Sequence, residues 1–150
     1  MTSTASTAAP TLTPQIVGQA EKAHKPLLDR ILARTGTTMN QWVALRLTAV
    51  SGGAADRDQL ITSITGALQT DDAAVLTAIS ELTTAGLLED LPGEGSRLGF
   101  TGAGQALYQQ INSAVGEVVA RAYADIPAGD LAIAAWVLTL ITTRLNAEQA

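Results

Sequence analysis

The chain has 150 residues, a length typical of one domain. Hydrophobic residues make up 47% and charged residues 15%, which favours a folded core over disorder. Nine Lys and Arg residues against 14 Asp and Glu residues give a formal net charge of −5. This charge excludes a protein that binds nucleic-acid phosphates through an overall basic surface. The absence of cysteine excludes disulfides, iron–sulfur clusters and thiol nucleophiles, and one histidine cannot form a His-rich zinc site.

Targeting and membrane segments are not expected. The longest strongly apolar uncharged run, residues 131–143, has 13 residues, whereas a membrane span needs about 20. Residues 1–20 lack both the cationic start and the apolar run of a signal peptide. Residues 1–12, rich in Thr, Ser, Ala and Pro, are predicted to be a flexible tail. We therefore expect a cytoplasmic protein without a membrane segment.

The first helix is predicted to begin at Thr13-Pro14, a capping hydroxyl followed by a proline at the first helical position. Apolar residues then recur at steps of three and four, which places them on one helical face: Ile16, Ala20, Ala23, Leu27 and Ile31. Thr35-Gly36 ends this helix.

Three shorter helices are predicted next. Thr38 and Gln41 fit a capping box, and the helix that they begin directs Trp42, Leu45 and Ala49 inward before Gly52-Gly53. Asp56 is a candidate cap for the third helix and Thr70 for the fourth, which ends before Gly86. The inward positions of these two helices are Leu60, Ile64, Leu68, Val75, Ile79 and Leu82.

A change of pattern follows the fourth helix. Residues 87–91 and 97–100 are short strand candidates, and the segment Pro92-Gly93-Glu94-Gly95 between them is typical of a turn. The pattern predicts a β-hairpin. A long helix then carries one apolar stripe, formed by Leu107, Ile111, Val115, Val118 and Ala122.

The last helix, which starts near Pro127, is apolar on most sides. Between residues 131 and 145 its only charge is Arg144. Its apolar residues are Leu131, Ile133, Ala135, Trp136, Val137, Leu138, Leu140, Ile141 and Leu145. Such a helix must be covered on most sides. We expect a second copy to cover it, in a homodimer built from helices at both ends of the chain. The alternative is burial within its own monomer.

Three short helices followed by a hairpin, with long helices on both sides, form the order of a winged helix-turn-helix. The segment Thr38-x-x-Gln41-Trp42-x-x-Leu45 resembles the start of the second helix in the multiple antibiotic resistance regulator (MarR) family. Val75-x-x-x-Ile79-x-x-Leu82-x-x-x-Gly86-Leu87-Leu88 is similar to that family's recognition helix and first wing strand. The segment from Leu98 through Thr101 to Gly104 resembles the second wing strand and its exit.

This resemblance covers about residues 12–148. It implies a mainly α fold with a small β-hairpin, in which a single domain spans residues 13–150. The winged helix-turn-helix is expected at 38–104, and the dimerisation helices at 13–35 and 103–148. It further implies a dimeric repressor that regulates transcription, with its recognition helix in the major groove of double-stranded DNA and its wing at the minor groove or backbone. Many members of the family release DNA when a small aromatic anion binds.

The expected DNA-reading segment departs from the family pattern in its charge. Between residues 70 and 97, six acidic residues stand against the single cation Arg97. This charge predicts weak or unusual duplex binding, because phosphate contacts usually supply much of the affinity. Asp71 and Asp72 also suit the first turn of a helix, where acids complement the helix dipole. The candidate DNA-contacting residues are Arg57, Thr70, Ala73, Ala74, Thr77, Ser80 and Arg97.

Three residues are candidates for a ligand site. His24 can change its charge near neutral pH, Trp42 can stack on an aromatic ring, and Arg46 can pair with a carboxylate. Each has a plainer alternative: an exposed helix residue, a core residue and a surface charge, respectively. Tyr108 and Tyr123 can line a pocket or the dimer seam, or simply pack.

Enzymatic chemistry has no support in the sequence. Ser96 has no neighbouring base, the carboxylates are scattered, and the Gly93 and Gly102 segments lack the third glycine of a dinucleotide loop. We expect no catalytic residue, metal or cofactor. Two functions stay open: a MarR-type DNA-binding regulator that responds to a small aromatic ligand, and a winged-helix dimer that has lost DNA binding and acts as a protein-interaction or sensor module.

Overall fold

The computed structural model describes residues 10–93 and 95–150. The elements of this part of the chain are, in order, α1 (Pro14–Thr35), α2 (Met39–Val50), β1 (Ala54–Asp56), α3 (Arg57–Leu68), α4 (Asp72–Thr84), β2 (Leu88–Leu91), β3 (Arg97–Phe100), α5 (Gly102–Tyr123) and α6 (Ala128–Glu148). They belong to two compact units, the first ending at Val115 and the second running from Gly116 to Ala150. Residues 1–9 of the predicted tail lie outside the described residues.

The predicted starts of the first three helices are confirmed. The Thr13 hydroxyl accepts a hydrogen bond from the Ile16 N–H at 3.2 Å. Thr38 and Gln41 form both bonds of the capping box, each at 3.1 Å. Asp56 caps α3 by accepting from the Gln59 N–H at 3.0 Å. Each cap satisfies a backbone donor that has no partner inside its helix.

The predicted cap of α4 is wrong by one residue. Asp71, not Thr70, is the N-cap, and its carboxylate accepts from the Ala74 N–H at 2.9 Å. Both residue types are good caps, but a carboxylate at this position also complements the helix dipole. Thr70 lies one residue before this cap, and its side chain is half-buried.

The sheet has one strand more than predicted. The hairpin of β2 and β3 is confirmed, with Leu88 opposite Phe100 and Leu91 opposite Arg97. β1 adds to the other edge of β3 in antiparallel register, so the strand order is β1-β3-β2. β2 begins at Leu88 rather than at the predicted residue 87.

The core of the first unit lies between α2, α3, α4 and the sheet. Its fully buried side chains include Leu45, Ile64, Val75, Ile79, Leu82, Leu88 and Leu98. The predicted inward positions of α4 are therefore confirmed. Of the predicted α1 stripe only Ile31 is buried, since Ile16 and Leu27 are more than a third exposed.

α6 begins after Pro127, as predicted. None of its residues, all of which are described, is buried, and Ile133 and Trp136 are 62% and 66% exposed. The predicted uncharged run 131–143 is part of this longer helix, which is long and apolar enough to cross a membrane by length and composition alone. The predicted 13-residue count covers the uncharged run alone, whereas the helix also includes Asp130, Arg144 and Glu148. One helix of this kind is weak evidence for a membrane span.

Candidate nucleic-acid interface and ligand site

α4 has one buried face and one exposed face. Val75, Ala78, Ile79 and Leu82 pack into the core, against neighbours that include α2 and α3. The candidate DNA-contacting residues lie elsewhere on the helix: Ala73, Thr77 and Ser80 are exposed and Ala74 is half-buried. This is the arrangement of a helix-turn-helix, in which the second helix is anchored on one side and free on the other.

The N-terminal end of α4 is acidic, and its carboxylates are engaged. Besides the Asp71 cap, Asp72 accepts from the Thr65 hydroxyl at 3.1 Å. Glu81, further along the helix, accepts from the Gln41 side-chain amide at 2.9 Å. The same amide closes the capping box of α2, so it ties the start of α2 to α4.

The wing, formed by β2 and β3, carries two exposed carboxylates and one of the two arginines of this region. Glu89 and Asp90 on β2 are exposed, and so is Arg97 on β3. Arg57, at the start of α3, donates its backbone N–H to the Ser96 carbonyl at 2.9 Å. Its guanidinium lies 4.0 Å from the Asp90 carboxylate, which is 71% exposed. The Arg57 backbone is therefore bonded to the wing, and its side chain lies at the outer limit of an ion pair with Asp90.

Exposed charge on α4 and the wing is mostly negative. The described acidic residues are Asp71, Asp72, Glu81, Glu89 and Asp90, and all five are exposed. The cations that the sequence analysis assigned to this region are Arg57 and Arg97 alone. A duplex that approaches this surface meets few groups able to neutralise its phosphates.

The three candidate ligand residues occupy different environments. Trp42 is only 5% exposed, and its ring stacks on Tyr108 with centroids 5.6 Å apart and an angle of 16° between the planes. Arg46, one turn later on α2, is exposed. His24 is exposed on α1, with Nδ1 2.6 Å from the Ala20 carbonyl oxygen.

An aromatic stack that the sequence analysis did not predict continues from Trp42. Tyr108 also stacks on Phe100, with centroids 5.9 Å apart and planes inclined by 28°. The stack joins α2, α5 and β3 within the first unit. Trp42 is distant in sequence from Phe100 and Tyr108, so no local pattern could have predicted that the three rings stack.

A groove of about 490 Å³ lies beside β1. Its lining is formed by Leu47, Val50, Ser51, Ala54, Ala55, Asp56, Gln59, Leu60, Ser63 and Arg97. The groove contains Arg97 from the predicted DNA-contacting set and none of the three candidate ligand residues. In the described part of the chain, no group of three His, Asp or Glu residues is placed to hold a metal ion.

Comparisons with known proteins relate this chain to others through its fold. No protein-family model matches the sequence, and no curated protein matches it. The structure of NadR in complex with 4-hydroxyphenylacetate is similar at a TM-score of 0.71 and 22% identity, over 87% of this chain and 95% of that one. The transcriptional regulator PA3341 is similar at a TM-score of 0.74 and 20% identity, over 89% and 97% of the two chains.

A third similar structure is named for its family. It is a MarR-family transcriptional regulator from Silicibacter pomeroyi, with a TM-score of 0.68 and 17% identity over 89% of this chain and 88% of that one. At such identities the likeness shows the fold alone. The chain therefore has the winged-helix fold of MarR-family transcriptional regulators.

Proposed function

We propose that this protein is a MarR-type transcriptional regulator, a cytoplasmic homodimer that binds double-stranded DNA and represses transcription. The observation that carries the proposal is the anchored helix α4 with its exposed outer face, next to a β2–β3 wing, in a chain whose fold matches solved regulators over nearly its whole length. In this arrangement α4 enters the major groove, and the wing lies at the minor groove or backbone.

Dimerisation rests on the exposed apolar helices. α6 exposes Ile133, Trp136 and Leu145 in the single chain, and α1 exposes Ile16 and Leu27. A second copy that covers these side chains removes a large apolar area from water. Each Å² of apolar surface buried stabilises the dimer by about 25 cal/mol. A twofold dimer also presents two α4 helices to successive turns of the same duplex.

The contacts to DNA divide by chemistry. Arg57 and Arg97 pair with backbone phosphates, which supplies affinity without sequence information. Ala73, Ala74, Thr77 and Ser80 on α4, with Thr70 just before it, face the base edges. The Asp90 carboxylate competes for Arg57, because the two groups lie 4.0 Å apart.

A small aromatic acid is the proposed effector. The similar NadR structure holds 4-hydroxyphenylacetate, whose ring and carboxylate suit an aromatic side chain and a cation. Here His24, Trp42 and Arg46 are the candidate partners. His24 and Arg46 are exposed, whereas Trp42 is stacked on Tyr108 and must move before an effector ring can contact it. An effector that binds the DNA-free protein more tightly than the DNA-bound protein lowers the affinity for DNA. The factor is the ratio of the effector's affinities for these two forms.

A gel shift of the full chain with the DNA upstream of its own gene tests this function. At about 50 mM salt, where phosphate contacts are strong, we expect a retained complex. The double variant Arg57→Ala, Arg97→Ala should lose it, whereas Arg144→Ala, a control with a cation removed from α6, should keep most of it. No complex with the unmodified protein would refute DNA binding.

The second candidate function is a dimeric sensor or protein-interaction module that does not bind DNA. The five exposed carboxylates on α4 and the wing favour it, since they repel a duplex. A thermal shift with 4-hydroxyphenylacetate separates the two functions when it is paired with the gel shift. Stabilisation by the ligand without any DNA complex supports the sensor.

A further inference from the structure

The outer face of α4 carries no side chain that reads guanine or adenine through paired hydrogen bonds. Ala73, Thr77, Ser80 and Thr84 follow one another at helical spacing, and all four are exposed. Leu76 lies beside this row and is 41% exposed. Arg and Lys read guanine through paired hydrogen bonds, and Asn and Gln read adenine in the same way. The sequence of α4, DAAVLTAISELTT, contains none of these four residue types.

The Thr77 side chain presents carbon rather than a hydrogen-bond donor. Its hydroxyl donates to the Ala73 carbonyl at 2.9 Å, so its one proton is already used within the helix. The Thr77 oxygen can still accept, and the exposed Ser80 hydroxyl lies further along the helix. The other groups that can meet a base edge at this point are methyl groups of Ala73, Leu76 and Thr77. Apolar side chains of this kind contact the C5-methyl group of thymine, which stands in the major groove.

We propose, on the basis of the DNA-binding function above, that Leu76 and Thr77 recognise thymine methyl groups in each half-site. The acidic start of α4 supports this specificity indirectly. Asp71 and Asp72 each have one carboxylate oxygen engaged, by the Ala74 N–H and the Thr65 hydroxyl. They add negative charge near the phosphates, so binding depends more on close apolar contact than in a regulator with a basic recognition helix.

Selection from a duplex library identifies the preferred half-site directly. The full chain is offered duplexes with a randomised segment of about two helical turns at low salt, and the retained sequences are determined. Each enriched thymine is then replaced by deoxyuridine, which removes only the C5-methyl group. We expect affinity to fall about fourfold for each contacted methyl group. Deoxyuridine outside the enriched positions serves as the control and should change nothing.

Two substitutions at one position distinguish carbon from hydroxyl contact. Thr77→Ser keeps the hydroxyl and removes the methyl group, so it should weaken binding to thymine DNA about fourfold and add no further loss on deoxyuridine DNA. Thr77→Val keeps carbon at this position and should bind normally. Both variants alter an exposed side chain and should fold.

The outcomes separate this inference from the function on which it rests. If no duplex is retained at low salt, DNA binding itself is refuted and the methyl recognition falls with it. If duplexes are retained but are indifferent to deoxyuridine, or if Thr77→Val loses affinity and Thr77→Ser does not, only the methyl recognition is overturned. Enrichment of cytosine opposite Asp72 in place of thymine would also overturn it, since a carboxylate accepts from the cytosine amino group.

Discussion

Among the described glycines, Gly104 near the start of α5 lies closest to another backbone segment. A Cβ added to Gly104 would lie 2.8 Å from the carbonyl carbon of Leu87 and closer still to its carbonyl oxygen. Thr101 holds the two segments together, since its hydroxyl donates to the Gly86 carbonyl at 2.5 Å and accepts from the Gly104 N–H at 3.0 Å. These contacts attach α5 to the loop between α4 and the wing.

Replacing Gly104 by alanine should therefore destabilise the fold. Non-bonded heavy atoms need about 3.5 Å, so the contact with the carbonyl carbon alone requires the two backbone segments to move apart by about 0.7 Å, and the contact with the oxygen requires more. Overpacking of this kind typically costs about 1–3 kcal/mol, and a clash with backbone rather than with a flexible side chain favours about 3 kcal/mol. Alanine regains about 1 kcal/mol in helix propensity. The net loss is about 2 kcal/mol, or a melting temperature lower by about 4–8 °C.

Urea unfolding followed by circular dichroism measures this loss, with Gly102→Ala as the matched control. Gly102 lies two residues earlier in the same helix, and an added Cβ there meets nothing within 4 Å. The control should be as stable as the unmodified protein or slightly more stable. Equal stability of the two variants would refute the close approach of α5 to Leu87.

Three further predictions follow from the caps, the wing and the apolar helices. Asp71→Ala should lower the free energy of unfolding by about 1 kcal/mol while Thr70→Ala leaves it nearly unchanged; the reverse order in urea titrations would restore Thr70 as the cap. Asp90→Asn should free Arg57 and tighten duplex binding about 2- to 5-fold more than the control Glu89→Gln does. The control removes the same charge from the neighbouring strand position. Equal effects of the two variants in a gel shift would mean that the Arg57–Asp90 pair has no role in DNA binding. In sedimentation without detergent the chain should be a dimer at micromolar concentration, and Trp136→Ala should weaken the dimer about 30-fold; a monomeric unmodified protein would contradict the dimer.

Features set by residues close in sequence could be predicted, because their causes are local. Thr13, Thr38 and Asp56 bond to backbone groups three residues later, so their spacing alone identifies three helix starts. The wing was predictable from its turn residues. β1 was not, because Ala54 and Ala55 show no alternation of apolar and polar residues, and their partner strand lies more than 40 residues away.

The position of the candidate DNA-binding face on α4 could be predicted from the sequence, whereas most side-chain contacts around it could not. The spacing of Val75, Ile79 and Leu82 identifies the buried face of α4, and hence the exposed one. The Arg57–Asp90 pair and the stack of Trp42 on Tyr108 join residues distant in sequence, which no local pattern reveals. The apolar stripes of α1 and α6 predict that these helices are covered. In the single chain, however, apolar side chains of both helices stay exposed to solvent.

The salt dependence of duplex binding tests most directly whether this acidic surface holds DNA. In the proposed dimer each protomer contributes Arg57 and Arg97 to the phosphates, which would neutralise about four of them. The logarithm of the binding constant should then fall with the logarithm of salt concentration at a slope no steeper than about −3.6. We expect such a shallow slope, flattened further by Arg97→Ala. A far steeper slope, or no binding at the lowest salt concentration, would contradict it.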